Sequence, residues 1–511
     1  MSHPFRPDAA DEAALAELRE RLALAGFDEA GVADRLGIDH PIDITLDHFP
    51  EYEERVRAAE DALDVAVALF VLQGSVARRD AEALLGRAIV KRLVEAGALV
   101  SPGRGRVAAT VAVSPCAGCL FVTDLRFPEL APALPAPDEP VMYLSADSYA
   151  LAYLVPGTGA EARVLDLCAG CGVHAVLAAC AARRVIGVDL NPRAVAFARL
   201  NAALNGVADR CDFRAGDLHA ALGAGDAQRG FDLVLANPPF TPSGGERPLL
   251  YRDGGARGED VLARAVSGLA ARLARDGTAV LVAAFVEGGK ADLEARLGRW
   301  LGAPFAGVLF AFDAIAAGEY ALLVRHTFGE TLESFRARYA AKLAALEAAG
   351  IAGFTPGVVA LRRRAGRSGR GGRGLSLRRL TTAPPIAPDP AAVGRAFDAL
   401  DVADDALLAR RPRLAEGAVL VTLSEPAPGP GSAVRPVAHR LRHDSWAGGE
   451  VDLPAPLFGL LSACDGRRTL ADLLRAAGGG RGRDLLATIR DLCARGTLIH
   501  RVSAARPDDP G

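Results

Sequence analysis

The sequence lacks the features that mark membrane proteins, secreted proteins and small disulfide-stabilised domains. No stretch approaches the roughly 18 consecutive apolar residues that a membrane-spanning helix requires. The N-terminus has no basic segment followed by an apolar run, as a secretory signal would. Eight cysteines in 511 residues do not suggest a disulfide scaffold. We therefore expect a cytoplasmic protein that keeps its thiols reduced and makes no contact with a membrane.

Lysine is scarce, and positive charge does not dominate. Only Lys91, Lys290 and Lys342 are lysines among 59 basic residues, and the formal net charge is −3. The chain as a whole is therefore not built to attract a polyanion. Eight arginines lie between Arg362 and Arg379. They could follow a nucleic-acid backbone or form a flexible hairpin loop, and no aromatic residue is interleaved there for base stacking.

Two cysteine pairs have the spacing of zinc ligands. They are Cys116 with Cys119 and Cys168 with Cys171. The second pair lies in a turn that a ligand is expected to occupy, where a metal would block that ligand. We therefore expect free thiols and no metal site.

Proline-rich stretches divide the chain into three predicted domains. Residues 1–130 contain a predicted helix over 12–35. From Asp61 they have a winged-helix-like pattern: a helix up to a turn at Gln73-Gly74, helices over 77–86 and 87–98, and a strand over 106–113. A proline-rich linker over 128–137 precedes an α/β domain at 141–390. Residues 391–511 form a second winged-helix-like module, with helices near 455–464, 469–476 and 483–494 and a strand near 497–502.

In the central domain strands alternate with helices, which is the signature of a mostly parallel α/β sheet flanked by helices. A helix is predicted over 331–348. The predicted strands are Val164–Leu167, Arg184–Asp189, Phe231–Ala236, Thr278–Val282, Tyr320–Val324 and Val358–Leu361.

A small-residue turn follows the first of these strands and leads into an apolar helix. The turn contains Cys168, Gly170 and Gly172 and follows Asp166 within the strand. The two glycines allow the backbone to approach a ligand closely. Such a turn alone is compatible with any ligand of a Rossmann-like fold.

Two acids at later strand ends narrow the choice of ligand. Asp189 ends the next strand, where a carboxylate can accept hydrogen bonds from both hydroxyls of a ribose. Asp217 follows a further strand and could bind the exocyclic amine of an adenine. Leu190 and Leu218, which follow these acids, also belong to the predicted cofactor site, as does Asn237 further along the chain.

The segment Asn237-Pro238-Pro239-Phe240 directly follows the strand Phe231–Ala236 and resembles the corresponding motif of class I methyltransferases that methylate planar nitrogens. The lone pair of a conjugated NH2 group is tied up in resonance. Hydrogen bonds from its protons to the Asn237 side chain and the Pro238 carbonyl would make that nitrogen more tetrahedral and free the lone pair for methylation. The prolines stiffen the loop, and Phe240 can stack on a planar group.

Taken together, these motifs resemble the class I methyltransferases that use S-adenosylmethionine to methylate planar nitrogens. The resemblance implies a Rossmann-like core, S-adenosylmethionine as cofactor and Asn237 as the pivotal residue. Many family members have glycine in place of Cys168, and a small cysteine should still fit.

The acceptor is open between two main groups. The loop over 251–260 is similar to that of release-factor glutamine methyltransferases, whereas RNA guanine-N2 methyltransferases often share the phenylalanine after the prolines. In domain arrangement, with a helical region before the core and a short helical module after it, the chain most resembles uncharacterised actinobacterial-type methyltransferases. The substrate of those proteins is not known, so this resemblance does not identify the acceptor. The segment over 460–470 resembles modules that hold leader peptides, although an oligomerisation role, such as a homodimer, fits as well.

Two further functions remain as alternatives. One is a small-molecule methyltransferase of secondary metabolism. The other is a regulator that senses S-adenosylmethionine and binds DNA through residues 61–115, where Arg87, Lys91 and Arg92 would lie on a recognition helix.

Overall fold

A computed structural model describes most of the chain in two compact units. The described residues are 5–9, 11–57, 61–243, 249–289, 291–323, 331–363, 375–426, 434–443, 449–476 and 483–500. The units comprise residues 1–309 with 314–378, and residues 310–313 with 379–511. The domain boundaries drawn from the sequence at 1–130, 141–390 and 391–511 stay predictions.

The N-terminal part of the first unit consists of short helices, a three-stranded sheet and a hairpin. Its helices are α1 (Glu12–Leu24), α2 (Glu29–Leu36), α3 (Phe49–Val56), α4 (Ala62–Ala66), α5 (Arg78–Leu85) and α6 (Arg87–Glu95). Its strands are β1 (Ser75–Ala77), β2 (Leu99–Gly103), β3 (Arg106–Ala109), β4 (Ala112–Cys116) and β5 (Cys119–Thr123). The sheet has the order β1-β3-β2, and β4 pairs with β5. Whether this part is a winged helix stays a prediction.

The single helix predicted over 12–35 is wrong, because the chain breaks at Gly26. That glycine has φ +72°, a conformation that glycine adopts without steric cost. Asp28 then starts α2, since its side chain accepts a hydrogen bond from the Gly31 amide at 2.7 Å.

The rest of the first unit is built on a large twisted sheet. Its helices are α7 (Ala146–Tyr153), α8 (Val173–Ala179), α9 (Pro192–Leu204), α10 (Ala224–Arg229), α11 (Asp260–Ser267), α12 (Leu269–Arg272), α13 (Leu293–Leu301), α14 (Ala317–Leu322) and α15 (Leu332–Ala348). Its strands are β6 (Arg163–Leu167), β7 (Arg184–Asp189), β8 (Cys211–Ala215), β9 (Phe231–Ala236), β10 (Leu273–Glu287), β11 (Phe305–Ala311), β12 (Ile315–Ala316), β13 (Gly353–Arg363) and β14 (Leu375–Thr381).

The strand order places a crevice above the middle of this sheet. The order is β14-β11-β13-β10-β9-β6-β7-β8, and β12 pairs with β13. Strands β8, β7, β6, β9 and β10 are parallel, and β13 runs antiparallel to β10. From β6 the chain continues to β7 and β8 on one side of β6, and then crosses to β9 on its other side. The connections that leave β6 and β9 therefore diverge at the carboxyl ends of these two strands. Such a switch point is where open α/β sheets bind ligands.

The predicted strand over Tyr320–Val324 is wrong, because residues 317–322 form α14. Ala317, Tyr320 and Ala321 are buried whereas Leu322 is 54% exposed, and this spacing is helical. A run of apolar letters without alternation does not separate a short helix from a strand. The other five predicted strands and the helix over 331–348 are confirmed as elements.

The second unit contains helices and three short antiparallel ladders. Its helices are α16 (Ala392–Asp401), α17 (Asp404–Leu408), α18 (Ala455–Ser462), α19 (Leu470–Ala476) and α20 (Arg483–Ala494), and its strands are β15 (Pro412–Leu414), β16 (Ala418–Pro426), β17 (Val434–His443), β18 (Gly449–Leu453) and β19 (Leu498–His500). Strand β17 lies between β16 and β18, and β15 pairs with β19. The three helices predicted near 455–464, 469–476 and 483–494 and the strand predicted near 497–502 are confirmed as α18, α19, α20 and β19. The sequence did not predict β16, β17 or β18.

Within the described residues, no helix has both the length and the apolar character needed to span a membrane.

Two asparagines on α9 attach the β4–β5 hairpin to the large sheet. The Asn201 side chain accepts from the Val122 amide at 2.8 Å and donates to the Val122 and Cys171 carbonyls at 2.9 Å. One turn later, Asn205 accepts from the Leu120 amide at 3.0 Å and donates to its carbonyl at 2.7 Å. The two amides therefore satisfy backbone groups of β5 as a neighbouring strand would.

We expect Asn201→Ala to lower the free energy of unfolding by about 2–4 kcal/mol, since it leaves three buried backbone groups without a partner. Urea titration of the full chain measures this change. Arg183→Ala, which removes an exposed ion pair with Glu161, is the control and should cost less than about 1 kcal/mol. Equal losses in the two variants would contradict the account.

Candidate active site

A cavity of about 850 Å³ opens at the carboxyl ends of the parallel strands. Its walls come from the turn after β6, the end of β7, the turn after β8 and the loop after β9. The predicted site residues on this wall are Cys168, Gly170, Asp189, Leu190, Asp217, Leu218, Asn237, Pro238, Pro239 and Phe240. Residues from four separate stretches of sequence therefore meet at one cavity, although their individual roles stay predictions.

Asp166 and Gly172 lie behind the cavity wall. Asp166 is fully buried, and its side chain accepts a hydrogen bond from the Ala175 amide at 3.0 Å. Burial raises the pKa of this carboxyl to about 8. A methyl group added at Gly172 would lie 2.8 Å from the Ala198 side chain, so this glycine lets α9 approach the turn. Both residues shape the turn from behind.

The turn after β6 has a left-handed backbone at two positions that face the cavity. Cys168 has φ +58° and Gly170 has φ +54°. A methyl group added at Gly170 would find no protein atom within 4 Å, so it would project into open space. Cys168 carries the steric cost of a side chain in this left-handed conformation, of the order of 1 kcal/mol. The backbone here leaves room for a ligand lying against the turn.

Asp189 is held by two backbone amides. Its side chain accepts from the Gly170 and Asn191 amides, each at 2.8 Å. Burial raises the pKa of the carboxyl above its usual value, and the two amides oppose that rise. Each carboxylate oxygen accepts up to two hydrogen bonds, so both retain capacity for a further donor. The neighbouring Leu190 is 54% exposed on the cavity wall, an apolar surface without a cover.

Asp217 follows β8, the strand that pairs with β7, and its side chain is exposed. Its carboxylate forms an ion pair with Arg264 of α11. Leu218, which follows it, has φ +47° and is buried. The ion pair means that a ligand amine approaching Asp217 would share the carboxylate with Arg264.

The loop after β9 is fixed from two sides. Asn237 donates from Nδ2 to Oδ2 of Asp147 at 2.9 Å. Phe240 packs on an apolar cluster that includes Tyr320 and Phe354, whose ring centroids are 4.0 Å apart. Pro238 is buried between these contacts. The loop therefore presents the Asn237 side chain and the Pro238 backbone to the cavity with little freedom to move.

The segment over 251–260, which the sequence likens to glutamine methyltransferases, lies against this loop. The Thr241 amide donates to the Arg252 carbonyl at 3.0 Å, and the Gly254 amide donates to the Thr241 carbonyl at 2.9 Å. A methyl group at Gly254 would approach the Pro239 carbonyl oxygen to 2.7 Å, so only glycine allows this contact. The segment therefore packs against the loop after β9 and supplies Arg252 to the cavity wall.

The motifs found in the sequence do not include several residues of the cavity wall. They are Arg126, Glu139, Tyr143, Asp147, Leu323 and Arg338. Glu139 and Tyr143 follow the proline-rich linker over 128–137, and no motif includes them. Asp147 lies in the segment 145–149 before the first core strand. From its sequence, this segment could cover the methionine end of the cofactor or cap a helix.

Three further predictions concern His174, a metal site and the arginine-rich stretch, and the last two stay predictions. The sequence places His174 at the start of a helix beside the turn and predicts a histidine exposed on the helix surface. That prediction is wrong, because His174 is buried and donates from Nε2 to the Ser148 carbonyl at 3.1 Å, and burial lowers its pKa to about 4. The described residues contain no cluster of His, Cys, Asp and Glu that could hold a metal ion. Of the arginine-rich stretch, residues 364–374 lie outside the described residues.

The comparisons with known proteins agree with this geometry. A family model described as "Methyltransferase small domain" matches residues 147–300. Together with the strand order, this match confirms the prediction of a class I methyltransferase core for that part of the chain.

Curated relatives match stretches of 121 to 130 residues, somewhat shorter than the match to the family model. A ribosomal protein uL3 glutamine methyltransferase of Bordetella pertussis is 36% identical over 130 residues, which is 23% of this chain and 42% of the relative. A release factor glutamine methyltransferase of Mycolicibacterium smegmatis is 35% identical over 127 residues, 23% of this chain and 43% of the relative. A ribosomal protein L11 methyltransferase of Thiobacillus denitrificans is 38% identical over 121 residues, 23% of this chain and 36% of the relative. The chain thus spans less than half the length of these relatives.

We expect Asp166 to make the folded protein less stable as the pH rises. Its pKa is about 8 in the folded chain and about 3.9 when unfolded. The unfolded state therefore loses this proton first, and stability falls between pH 4 and pH 8 by up to about 1.4 kcal/mol per pH unit. Urea titrations of the wild type and Asp166→Asn across this range measure the difference. Parallel curves for the two proteins would contradict the prediction.

Proposed function

We propose that this protein is an S-adenosylmethionine-dependent N-methyltransferase that acts on the side-chain amide of glutamine in a protein or peptide. The observation that carries the proposal is the position of Asn237-Pro238-Pro239-Phe240. This segment opens into the same cavity as the turn after β6 and Asp189, so a cofactor site and an acceptor site would be contiguous. A cavity of about 850 Å³ is within the range of small-molecule sites.

The residues present fit S-adenosylmethionine in four respects. The open space at Gly170 leaves room for the body of the cofactor along the turn. Asp189 keeps acceptor capacity on both oxygens, which suits the two hydroxyls of a ribose. Leu190 offers an apolar surface that an adenine ring would cover. Asp217 would accept from the exocyclic amine beside its ion pair with Arg264.

The chain's own residues prepare the acceptor nitrogen. S-adenosylmethionine, when bound, supplies a methyl group on a sulfonium sulfur that a nucleophilic nitrogen can attack in line. The Asn237 oxygen and the Pro238 carbonyl would each accept a hydrogen bond from one N–H of the acceptor NH2 group. These bonds favour a nitrogen whose lone pair is no longer delocalised, and the stiff loop holds both acceptors in place before the acceptor arrives. No base is needed beforehand, because the nitrogen becomes acidic only as it gains the methyl group. After transfer the nitrogen releases one proton to water, which leaves the methylated amide and S-adenosylhomocysteine.

A protein amide is preferred over an RNA base on two grounds. The relatives from Bordetella and Mycolicibacterium are named glutamine methyltransferases. The segment over 251–260, which is similar to that of release-factor glutamine methyltransferases, packs against the catalytic loop.

The DNA-binding alternative depends on the cations of α6. On this helix, Arg87 pairs with Glu82, Lys91 with Glu95 and Arg92 with Asp11. Each of these exposed cations has an acidic neighbour, so α6 does not present a row of unopposed positive charge to DNA. The homodimer and the role of the C-terminal module stay predictions.

We expect Asp189→Ala to weaken S-adenosylmethionine binding by about 100-fold, since it removes the hydrogen bonds of a charged group to two hydroxyls. Calorimetric titration of the full chain measures the affinity. Asp209→Ala removes an exposed acid outside the cavity and should bind as the wild type does. Wild-type affinity in Asp189→Ala would contradict the cofactor site, and no binding by the wild type would contradict the function.

We expect Asn237→Ala to lower turnover by about 100- to 1,000-fold while leaving S-adenosylmethionine affinity unchanged, because the lost oxygen contacts only the acceptor. Transfer of a radiolabelled methyl group to candidate proteins and peptides, with mass spectrometry of the methylated residue, measures turnover. A methyl group found on glutamine supports the amide acceptor. Full turnover in Asn237→Ala would overturn the assignment of this residue.

A further inference from the structure

A carboxylate that none of the sequence motifs includes contacts the pivotal asparagine. Asp147 lies at the start of α7, and its Oδ2 accepts from Asn237 Nδ2 at 2.9 Å. The two residues are 90 positions apart in the sequence, and both line the cavity. An asparagine can present either its oxygen or its NH2 group in a given direction, and the proposed chemistry works with only one of these orientations.

The charge of Asp147 selects that orientation. An ionised carboxylate only accepts hydrogen bonds, so it binds the NH2 end of the amide and not the oxygen. With Nδ2 directed to Asp147, the Asn237 oxygen is directed away from it. A hydrogen bond to a carboxylate is stronger than one between neutral groups, so the opposite orientation is disfavoured.

Asp147 is itself held in place. Ser145 precedes α7 at its N-cap position but makes no capping bond, and its hydroxyl instead donates to Asp147 Oδ1 at 2.6 Å. Helix α7 is anchored at its next residues, since His174 donates to the Ser148 carbonyl at 3.1 Å and Tyr149 donates to the Pro115 carbonyl at 2.8 Å. The carboxylate therefore has one oxygen tied to its own helix and the other tied to Asn237.

We propose that Asp147 is a positioning residue, which holds the Asn237 side-chain oxygen toward the acceptor nitrogen. The proposal rests on the proposed function and adds a residue on which catalysis depends without its touching the acceptor. Asp147 acts on turnover and not on cofactor affinity. Its contribution passes through Asn237 alone.

Side-chain amide spectroscopy tests the contact without any acceptor. The chain has four asparagines, Asn191, Asn201, Asn205 and Asn237. Full-length protein labelled with 15N only in asparagine therefore gives four NH2 signals, and Asn237→Ala identifies its own by loss. We expect Asp147→Ala to shift the Asn237 signal while those of Asn201 and Asn205, which bind backbone groups, stay unchanged and report an intact fold. An unshifted Asn237 signal overturns the proposal.

Kinetics test the consequence for turnover. Asp147→Asn keeps the shape of the side chain, but its amide can pair with either end of Asn237. We expect kcat to fall about 10- to 100-fold with unchanged acceptor KM and unchanged S-adenosylmethionine affinity. In the Asn237→Ala background the same change should have no further effect, because the two residues then share one function. Asp209→Asn, an exposed acid outside the cavity, is the control and should keep wild-type kcat.

The possible outcomes are distinguishable. Wild-type kcat in Asp147→Asn, or a full additional loss in the Asn237→Ala background, overturns the positioning role while leaving the proposed function standing. A wild type that methylates no glutamine-containing acceptor removes the proposed function, and the positioning proposal falls with it even if the amide signal shifts. Loss of kcat together with a shifted Asn237 signal supports both.

Discussion

The parallel pairing of β7, β6 and β9 is the constraint on which the rest of the site depends. Pairing places Asp189, the turn after Leu167 and the loop after Ala236 at one edge of the sheet. The order reverses between β6 and β9, so the connections part there and leave a crevice. Every group in the proposed chemistry is attached directly to one of these strand ends or to an element packed against them. The precision of the site therefore comes from backbone hydrogen bonding in the sheet.

Asparagine side chains join the other elements to this frame. An amide carries both a donor and an acceptor, so it can pair with backbone groups where no strand is available. Asn191 caps α9 and donates to the Glu139 carbonyl at 3.3 Å, which ties the segment before α7 to the end of β7. Asn201 and Asn205 hold the β4–β5 hairpin, and Asn237 binds Asp147. All four asparagines of the chain thus have a specific bonding role.

Local signals explain how much of the fold and site could be predicted. Strands β7 and β9 were predicted at their observed bounds, because a buried parallel strand is a short apolar run that ends in a polar residue. Asp189 and Asn237 follow from these strand ends. The pairing of Asp147 with Asn237 could not be predicted, since it depends on how α7 packs against residues far along the sequence. Residues 320–324 have the pattern of a strand although they begin in helix α14, because their apolar run lacks a clear period.

The measurement that tests the central claim most directly is a crystal structure of the full chain with S-adenosylhomocysteine. The account predicts the ribose hydroxyls on the Asp189 carboxylate, the adenine against Leu190 and the sulfur facing the Asn237 side-chain oxygen across the cavity. A ligand bound elsewhere, or bound in the cavity with its sulfur directed away from Asn237, would contradict the account.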